Sequence, residues 1–445
     1  MSTGFRAAED HWGITMPELQ NTPRAFRPGA LVGTIDVPGD KSISHRALIA
    51  AAASTQPIEI SGLNPGRDVR ATLEALVALG ARVDGVQGRL RVSGGRLREP
   101  MGEIDCMNSG STARMVLGVC AGADVRARFD GDASLRRRPM EPVAAQLRAF
   151  GPKIETTNGM LPMTIAGTPQ IETRRFILIT PSAQIKSALL FAGLFSNTPV
   201  DILGDRSSRD HTERLLRYLG AEIEWDAREV HLRGGITRAE PIDVAGDFSS
   251  AAFFIVAATV TPGSRLTIRR AGVNPRRTGL LDALLDMGAD IELTNAAEHC
   301  GEPVADIVVR HAPLRGITID ADLALRAIDE IPVLSVAAAF AQGNTKITGI
   351  RELRTKESDR VAAIERLLGA AGIGVEVAAN GLVIVGGTPK GTGAVVDTQD
   401  DHRIAMAFAV AGLARGDVTI ASEQAVSKSY PRFWKTLDEV VAAST

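Results

Sequence analysis

The chain has 445 residues, 44% of them hydrophobic and 23% charged, with a formal net charge of −2. At about one domain per 150 residues, that length suggests two or three domains and a large buried core. The near-zero charge excludes a global basic field for nucleic acid, so any affinity for anions must come from local placement of Lys and Arg.

Cysteine occurs three times, as Cys106, Cys120 and Cys300, with no CxxC pair. Neither a disulfide framework nor a zinc site is expected, and all three read as structural or surface thiols. The N-terminal stretch lacks the apolar core of a signal peptide. No run of ~18 apolar residues is present to span a membrane. The expected location is the cytosol, and the first ~25 residues read as a loosely ordered extension.

In chain order, six Ala-rich runs alternate with six amphipathic ones. The first apolar run covers 41–53 and is followed by an amphipathic helix at 72–80. Next come 109–121 with 141–150, then 182–193 with 212–220. The second half repeats the pattern at 249–258 with 279–288, 329–341 with 359–368, and 401–414 with 433–441. The opening residues Ser42, Ser109, Ser182, Ser249, Asp329 and Asp401 are 67, 73, 67, 80 and 72 positions apart, a repeat of roughly 70 residues. Short alternating segments such as 230–233 and 382–385 read as strands. The first helix type is apolar nearly all round and should be buried, while the second has a polar face and should lie outside. Strands then complete a layered α/β unit. A solenoid scaffold is disfavoured, because such repeats are shorter and more uniform.

The later turns of the Ala-rich runs need no explanation beyond core packing. Their first turns carry more. Ser and Asp there are good N-caps, but a cap does not account for Lys41, Arg46, Arg114, Gln184, Lys186, Glu330, His402 and Arg403 near the same ends. Helix N-termini bind anions through free N–H groups and the helix dipole. Six such starts facing one cleft would make a composite site for a phosphate-rich ligand.

The segment Pro38-Gly39-Asp40-Lys41-Ser42-Ile43-Ser44-His45-Arg46 is not a P-loop, since the GxxxxGK[ST] spacing is absent. It closely resembles the N-terminal signature of the 3-phosphoshikimate 1-carboxyvinyltransferases (EPSP synthases). Further stretches resemble that family in order: 108–114 (NSGSTAR), 132–140 (DASLRRRPM), 182–187 (SAQIKS), 208–212 (SRDHT), 329–332 (DEIP), 354–360 (RTKESDR) and 401–406 (DHRIAM). The resemblance runs from about Pro38 to Pro431.

It implies an α/β fold of two domains, an inside-out α/β barrel with three helix-and-strand units per domain. The first domain would span 38–244. The second would combine 1–37 with 245–445 and carry Asp329, Glu357, Arg360 and Arg403. The implied reaction joins phosphoenolpyruvate (PEP) to the 5-hydroxyl of shikimate 3-phosphate by addition and elimination, without metal or other cofactor. Two carboxylates in different environments suit its proton transfers. By resemblance Asp329 is the base, Glu357 the proton shuttle, and Lys41 a third catalytic group. PEP would meet Lys41, Gly110, Arg138, Gln184, Arg360, Arg403 and Lys428. Shikimate 3-phosphate would meet Lys41, Ser42, Arg46, Ser182, Ala183, Gln184, Arg209, Asp329 and Lys356. His45 and His402 are assigned supporting roles.

Some positions depart from the pattern. Ala183 stands where some relatives have a second serine. Lys428 precedes Ser-Tyr-Pro rather than Thr-Phe-Pro. Gly110 stands where some herbicide-tolerant relatives have alanine, so glyphosate is expected to inhibit. The run Arg136-Arg137-Arg138 on a near-neutral chain is weak support for nucleic-acid binding. The nearest rival is the sister enzyme that transfers enolpyruvyl to UDP-N-acetylglucosamine; against it, Ser42 follows the lysine and no cysteine lies in the loop before Arg138. The expected partners are the two small substrates, with no nucleic acid or membrane, and one chain can build the site as a monomer.

Overall fold

A computed structural model describes residues 22–441 except 27, 87, 167–173, 205–207, 388, 390–393 and 417. Six inner helices run at Lys41–Ala53 (α1), Gly110–Ala123 (α2), Ala183–Ser196 (α3), Phe248–Val260 (α4), Ile331–Ala339 (α5) and His402–Arg415 (α6). Every residue of α4 and α5 is buried, as their all-round apolar sequences require. Small residues let such helices pack closely. A Cβ on Gly118 or Gly122 of α2 would lie 2.2 Å from the carbonyl oxygen of Ala188 or Ala192 on α3.

The amphipathic helices form at Arg67–Ala78, Glu141–Phe150, His211–Tyr218, Gly279–Met287, Arg360–Ala370 and Phe433–Val440, with one face packed inward. Six sheets are present among the described residues, five of four strands and one of three. In each sheet a strand pairs in parallel with the strand that follows an inner helix. In the four-stranded sheets, an antiparallel hairpin completes the unit.

Two of these leading strands are exchanged. Val32–Asp36 leads into α1 but pairs with Arg265–Gly272, which follows α4. Ile242–Asp243 leads into α4 but pairs with Ile58–Ser61, which follows α1. Two separate hydrophobic cores result. One draws on residues from Ile43 to Val244, the other on Phe26, Leu31 and Ile35 together with Phe248 to Val440. The two passages between the cores run side by side. Asp40 N–H donates to the Ala245 carbonyl at 2.7 Å, and Asp247 N–H to the Pro38 carbonyl at 2.8 Å.

Three expected caps differ. Asp40 and Asp247, not Ser42 and Ser249, cap α1 and α4, accepting from the N–H groups of Ile43 and Ser249 at 2.9 and 2.8 Å. Glu330, not Asp329, takes the cap position of α5 and makes no side-chain cap bond. The carboxylates of Asp40 and Asp247 stand one residue ahead of their helices, where the free N–H groups point. The extension expected over the first ~25 residues lies mostly in 1–21, outside the described residues; Arg24–Ala25 already forms a strand against Thr419–Ile420. No described helix is long and apolar enough to cross a membrane.

Gly39 marks the tightest point of the crossing, because a Cβ there would lie 1.7 Å from the Gly62 carbonyl oxygen. Gly39→Ala should therefore cost about 3 kcal/mol of stability, measured as a lower urea midpoint. An unchanged midpoint would mean that the crossing backbone can yield.

Candidate active site

The inner helices converge at their N-terminal ends. Around the first core, Arg46 of α1 donates to the Ala183 carbonyl at 3.4 Å and to Ser187 Oγ at 2.9 Å, both on α3. Arg114 of α2 donates to Gln184 Oε1 at 2.9 Å, and Gln184 Nε2 donates to Ser111 Oγ at 2.9 Å. Around the second core, Arg403 of α6 donates to Ser249 Oγ at 2.9 Å and to the Asp329 carbonyl at 3.0 Å. Contacts then bridge the two sets. Arg209 Nη2 meets Asp329 Oδ2 at 2.7 Å, Arg138 Nη1 meets Glu357 Oε1 at 3.5 Å, and Ser134 Oγ donates to the Glu357 carbonyl at 3.2 Å.

The two carboxylates sit among arginines. Asp329 also has Arg360 Nη1 at 3.8 Å and Arg403 Nη2 at 3.7 Å. Glu357 binds Arg360 Nη2 at 2.6 Å. Arg360 is almost wholly buried, and its Nε donates to Asp401 Oδ2 at 2.9 Å, which fixes the guanidinium between the carboxylates. Burial opposes ionisation of Asp329, but Arg403, Arg209, Lys356 and Arg277 hold its carboxyl well below the ordinary 3.8. For Glu357 the same opposition is outweighed by Arg360, Arg138 and Lys41, well below 4.5. Both are ionised at neutral pH.

Residues 26–437 match the family described as EPSP synthase (3-phosphoshikimate 1-carboxyvinyltransferase). The chain is 47% identical over 419 residues to the 3-phosphoshikimate 1-carboxyvinyltransferase of Gloeobacter violaceus, covering 92% of this chain and 96% of that one. It is 44% identical over 417 residues to that of Coxiella burnetii, covering 92% and 95%. Among solved structures, an EPSP synthase from Acinetobacter baumannii superposes with a TM-score of 0.81 at 36% identity, over 94% of this chain and 98% of that one. The enolpyruvyl transferase NikO from Streptomyces tendae, at 19% identity, has a TM-score of 0.73 over 94% and 97%, which shows the shared fold. The chain belongs to the EPSP synthase family.

The positions matched to the EPSP synthase motifs are held as follows. Lys41 Nζ pairs with Asp68 Oδ2 at 2.7 Å. Ser42 is partly buried in the first turn of α1, and its carbonyl accepts from Arg46 Nη1 at 2.8 Å. Arg46 is buried and turned inward, with its Nε donating to Thr212 Oγ1 at 2.8 Å. Ser182 caps α3, immediately before Ala183. Gly110 opens α2, where a Cβ would lie 2.6 Å from Arg114 Nη1 and 3.5 Å from Arg138 Nη1. Arg138 Nη2 donates to Asn108 Oδ1 at 2.9 Å, while its buried Nε has no hydrogen-bond partner among the described residues. Lys356 pairs with Glu352. Lys428 Nζ lies 2.6 Å from the Asp400 carbonyl and 2.7 Å from its carboxylate.

The arginine run divides by burial. Arg138 is buried in the site, whereas the more exposed Arg136 grips Asp130. His45 and His402 are buried, and burial with the neighbouring Lys41 keeps both well below the ordinary 6.5, hence neutral. His45 Nδ1 lies 2.7 Å from Thr72 Oγ1. Cys106 and Cys120 are buried thiols whose pKa values burial pushes up.

Sequence reasoning missed Asp68 and Arg277. Asp68 stands in the first turn of an outer helix, where a carboxylate reads as ordinary surface. Arg277 follows Pro275-Arg276 in a loop with no pattern of its own.

The depressed carboxyls have a stability consequence. A group whose folded value lies below its unfolded one stabilises the fold above the unfolded value, and the gain is lost as pH falls through the folded one. Asp329→Asn should melt below the parent at neutral pH, and the gap should narrow as pH drops below about 4. Thermal melts across pH check this; a constant gap would contradict it.

Proposed function

We propose that the chain transfers the enolpyruvyl group of PEP to the 5-hydroxyl of shikimate 3-phosphate and releases phosphate, the EPSP synthase reaction of aromatic amino acid biosynthesis. The observation that carries this reading is the ring of arginines around two carboxylates, set between the two cores. Arginine's forked donors suit the carboxylate and phosphate of PEP. Arg138, Arg360 and Arg403 are the assigned clamps, with the unpartnered Arg138 Nε a ready donor. Gly110, Gln184 and Lys428 complete the PEP side. Ser42, Arg46, Ser182, Ala183, Gln184, Arg209 and Lys356 take shikimate 3-phosphate, and Arg46 also supports the turns that carry Ser42 and Ala183.

Asp329 removes the hydroxyl proton as the oxygen attacks C2 of PEP. Glu357 delivers a proton to the methylene carbon and later takes one back, as the C–O bond to phosphate breaks and the proton held by Asp329 passes to the departing phosphate. An ionised Glu357 cannot begin as the acid. PEP solves this electrostatically. When its anionic groups engage Arg138 and Arg360, those cations neutralise Glu357 less, and its proton affinity rises. Lys41, now paired with Asp68, lies between the two substrates. The two cores correspond to two domains divided at 37/38 and 244/245, a partition supported by core membership and by the paired crossing. One chain supplies every assigned residue, which supports a monomeric enzyme, and the reading places it in the cytosol.

Phosphate release from PEP should require shikimate 3-phosphate, and millimolar glyphosate at limiting PEP should suppress it. Release with UDP-N-acetylglucosamine instead would overturn the reading. Lys41→Met should abolish turnover while circular dichroism stays native, and near-normal activity would remove Lys41 from its role.

A further inference from the structure

Arg277 lies between strand Arg265–Gly272 and helix Gly279–Met287, outside the eight motifs named above. It is 3% exposed. Its Nη1 donates to both Glu330 carboxylate oxygens at 2.9 Å. Its Nη2 donates to Asp247 Oδ1 at 3.4 Å and to Ser249 Oγ, and its Nε lies 3.9 Å from Asp40 Oδ2. Asp40 and Asp247 are the caps of α1 and α4, and each directly follows one of the two passages between the cores. One guanidinium therefore touches both crossing segments and the residue next to Asp329.

The path from Arg277 to Asp329 is short. Glu330 is buried and accepts from Ser249 Oγ at 2.5 Å and from Arg403 Nη1 at 3.4 Å. That same Nη1 donates to the Asp329 carbonyl at 3.0 Å. We propose that Arg277 is a positioning residue for Asp329, holding the start of α5 through Glu330 against the crossing segments through Asp40 and Asp247. The placement of the base then follows the relation between the two cores. The inference rests on the assignment of Asp329 as the base.

The charge arrangement gives this role a signature beyond folding. Asp40, Asp247 and Glu330 are three buried carboxylates around one guanidinium. Asp40 also faces His211 and Arg209, and Asp247 also faces Arg403 and Tyr430. Burial and the Asp40 charge push the Asp247 carboxyl up to about 6, against the opposing pull of Arg277 and Arg403. As pH rises through that value, Asp247 ionises and repels Asp40, and Arg277 offsets the repulsion. Lysine in its place would keep one charge but lose the fork that reaches Glu330 and Asp247 together.

Arg277→Lys, Asp247→Asn and Asp329→Asn, each as the full chain, should be compared by steady-state kinetics from pH 5 to 8. Arg277→Lys is expected to lose about 100-fold in kcat with substrate KM changed by less than about threefold. An apparent pKa near 6 in the kcat profile of the parent should be absent from Asp247→Asn, which keeps the cap and removes the titrating group. A purely structural role would lower the melting temperature and leave both the kcat of folded protein and the pH profile unchanged. Arg277→Lys within threefold of the parent kcat would overturn the proposal. If Arg277→Lys does not fold, an unaltered profile in Asp247→Asn overturns it. Turnover retained by Asp329→Asn would instead overturn the base assignment; an inactive Asp329→Asn beside an unimpaired Arg277→Lys would overturn the positioning role alone.

Discussion

Guanidinium groups facing two carboxylates across the gap between the cores are the interaction on which the site depends. Arg360 binds Glu357, Arg209 binds Asp329, and Arg138 and Arg403 stand 3.5 and 3.7 Å from one or the other. So many cations in one partly buried place would repel one another without such partners. The carboxylates hold the cluster together, and the cations keep the carboxylates ionised. A substrate with its own carboxylate and phosphate enters this balance as a competitor for the same donors. Under the proposed function, binding and proton affinity are thereby coupled.

The fold makes that meeting possible by exchanging strands. Val32–Asp36 and Ile242–Asp243 each complete the sheet on the far side of the crossing, so the chain passes twice between the cores. The paired passages end in Gly39-Asp40 and Gly246-Asp247, and each Asp caps the first inner helix of its half. The crossing and the helix starts are thus a single structure. Glycine is needed at position 39 because a neighbouring carbonyl occupies the space a side chain would take. Arg277, with its guanidinium beside both caps and on Glu330, sits where the crossing meets the start of α5.

Much of this was legible in the residues. The Ala-rich and amphipathic runs foretold all twelve helices of the two sets, and Lys41–Ala53 and Glu141–Phe150 match the expected bounds at both ends. Periodicity is a local property, so a sequence carries it directly. The caps were harder. Ser42 and Ser249 were the expected caps, whereas Asp40 and Asp247, just ahead of the apolar runs, accept the bonds. Which oxygen reaches the free N–H groups depends on the backbone path into the helix, and the crossing sets that path.

The residues by themselves determined the alternation of buried and surface helices, the repeat, and the polar chemistry at each helix start, because these follow from side-chain polarity and spacing along one chain. Tertiary structure decided the partners. It placed Arg209 on Asp329, 120 positions away, Arg138 beside Glu357, Asp68 under Lys41, and Arg277 against Glu330 and both capping aspartates. It also buried Arg46 between α1 and α3, with donors on Thr212 and Ser187. Such pairings depend on distances through space and on which charges lose their water together. Neither quantity is written in the order of the residues.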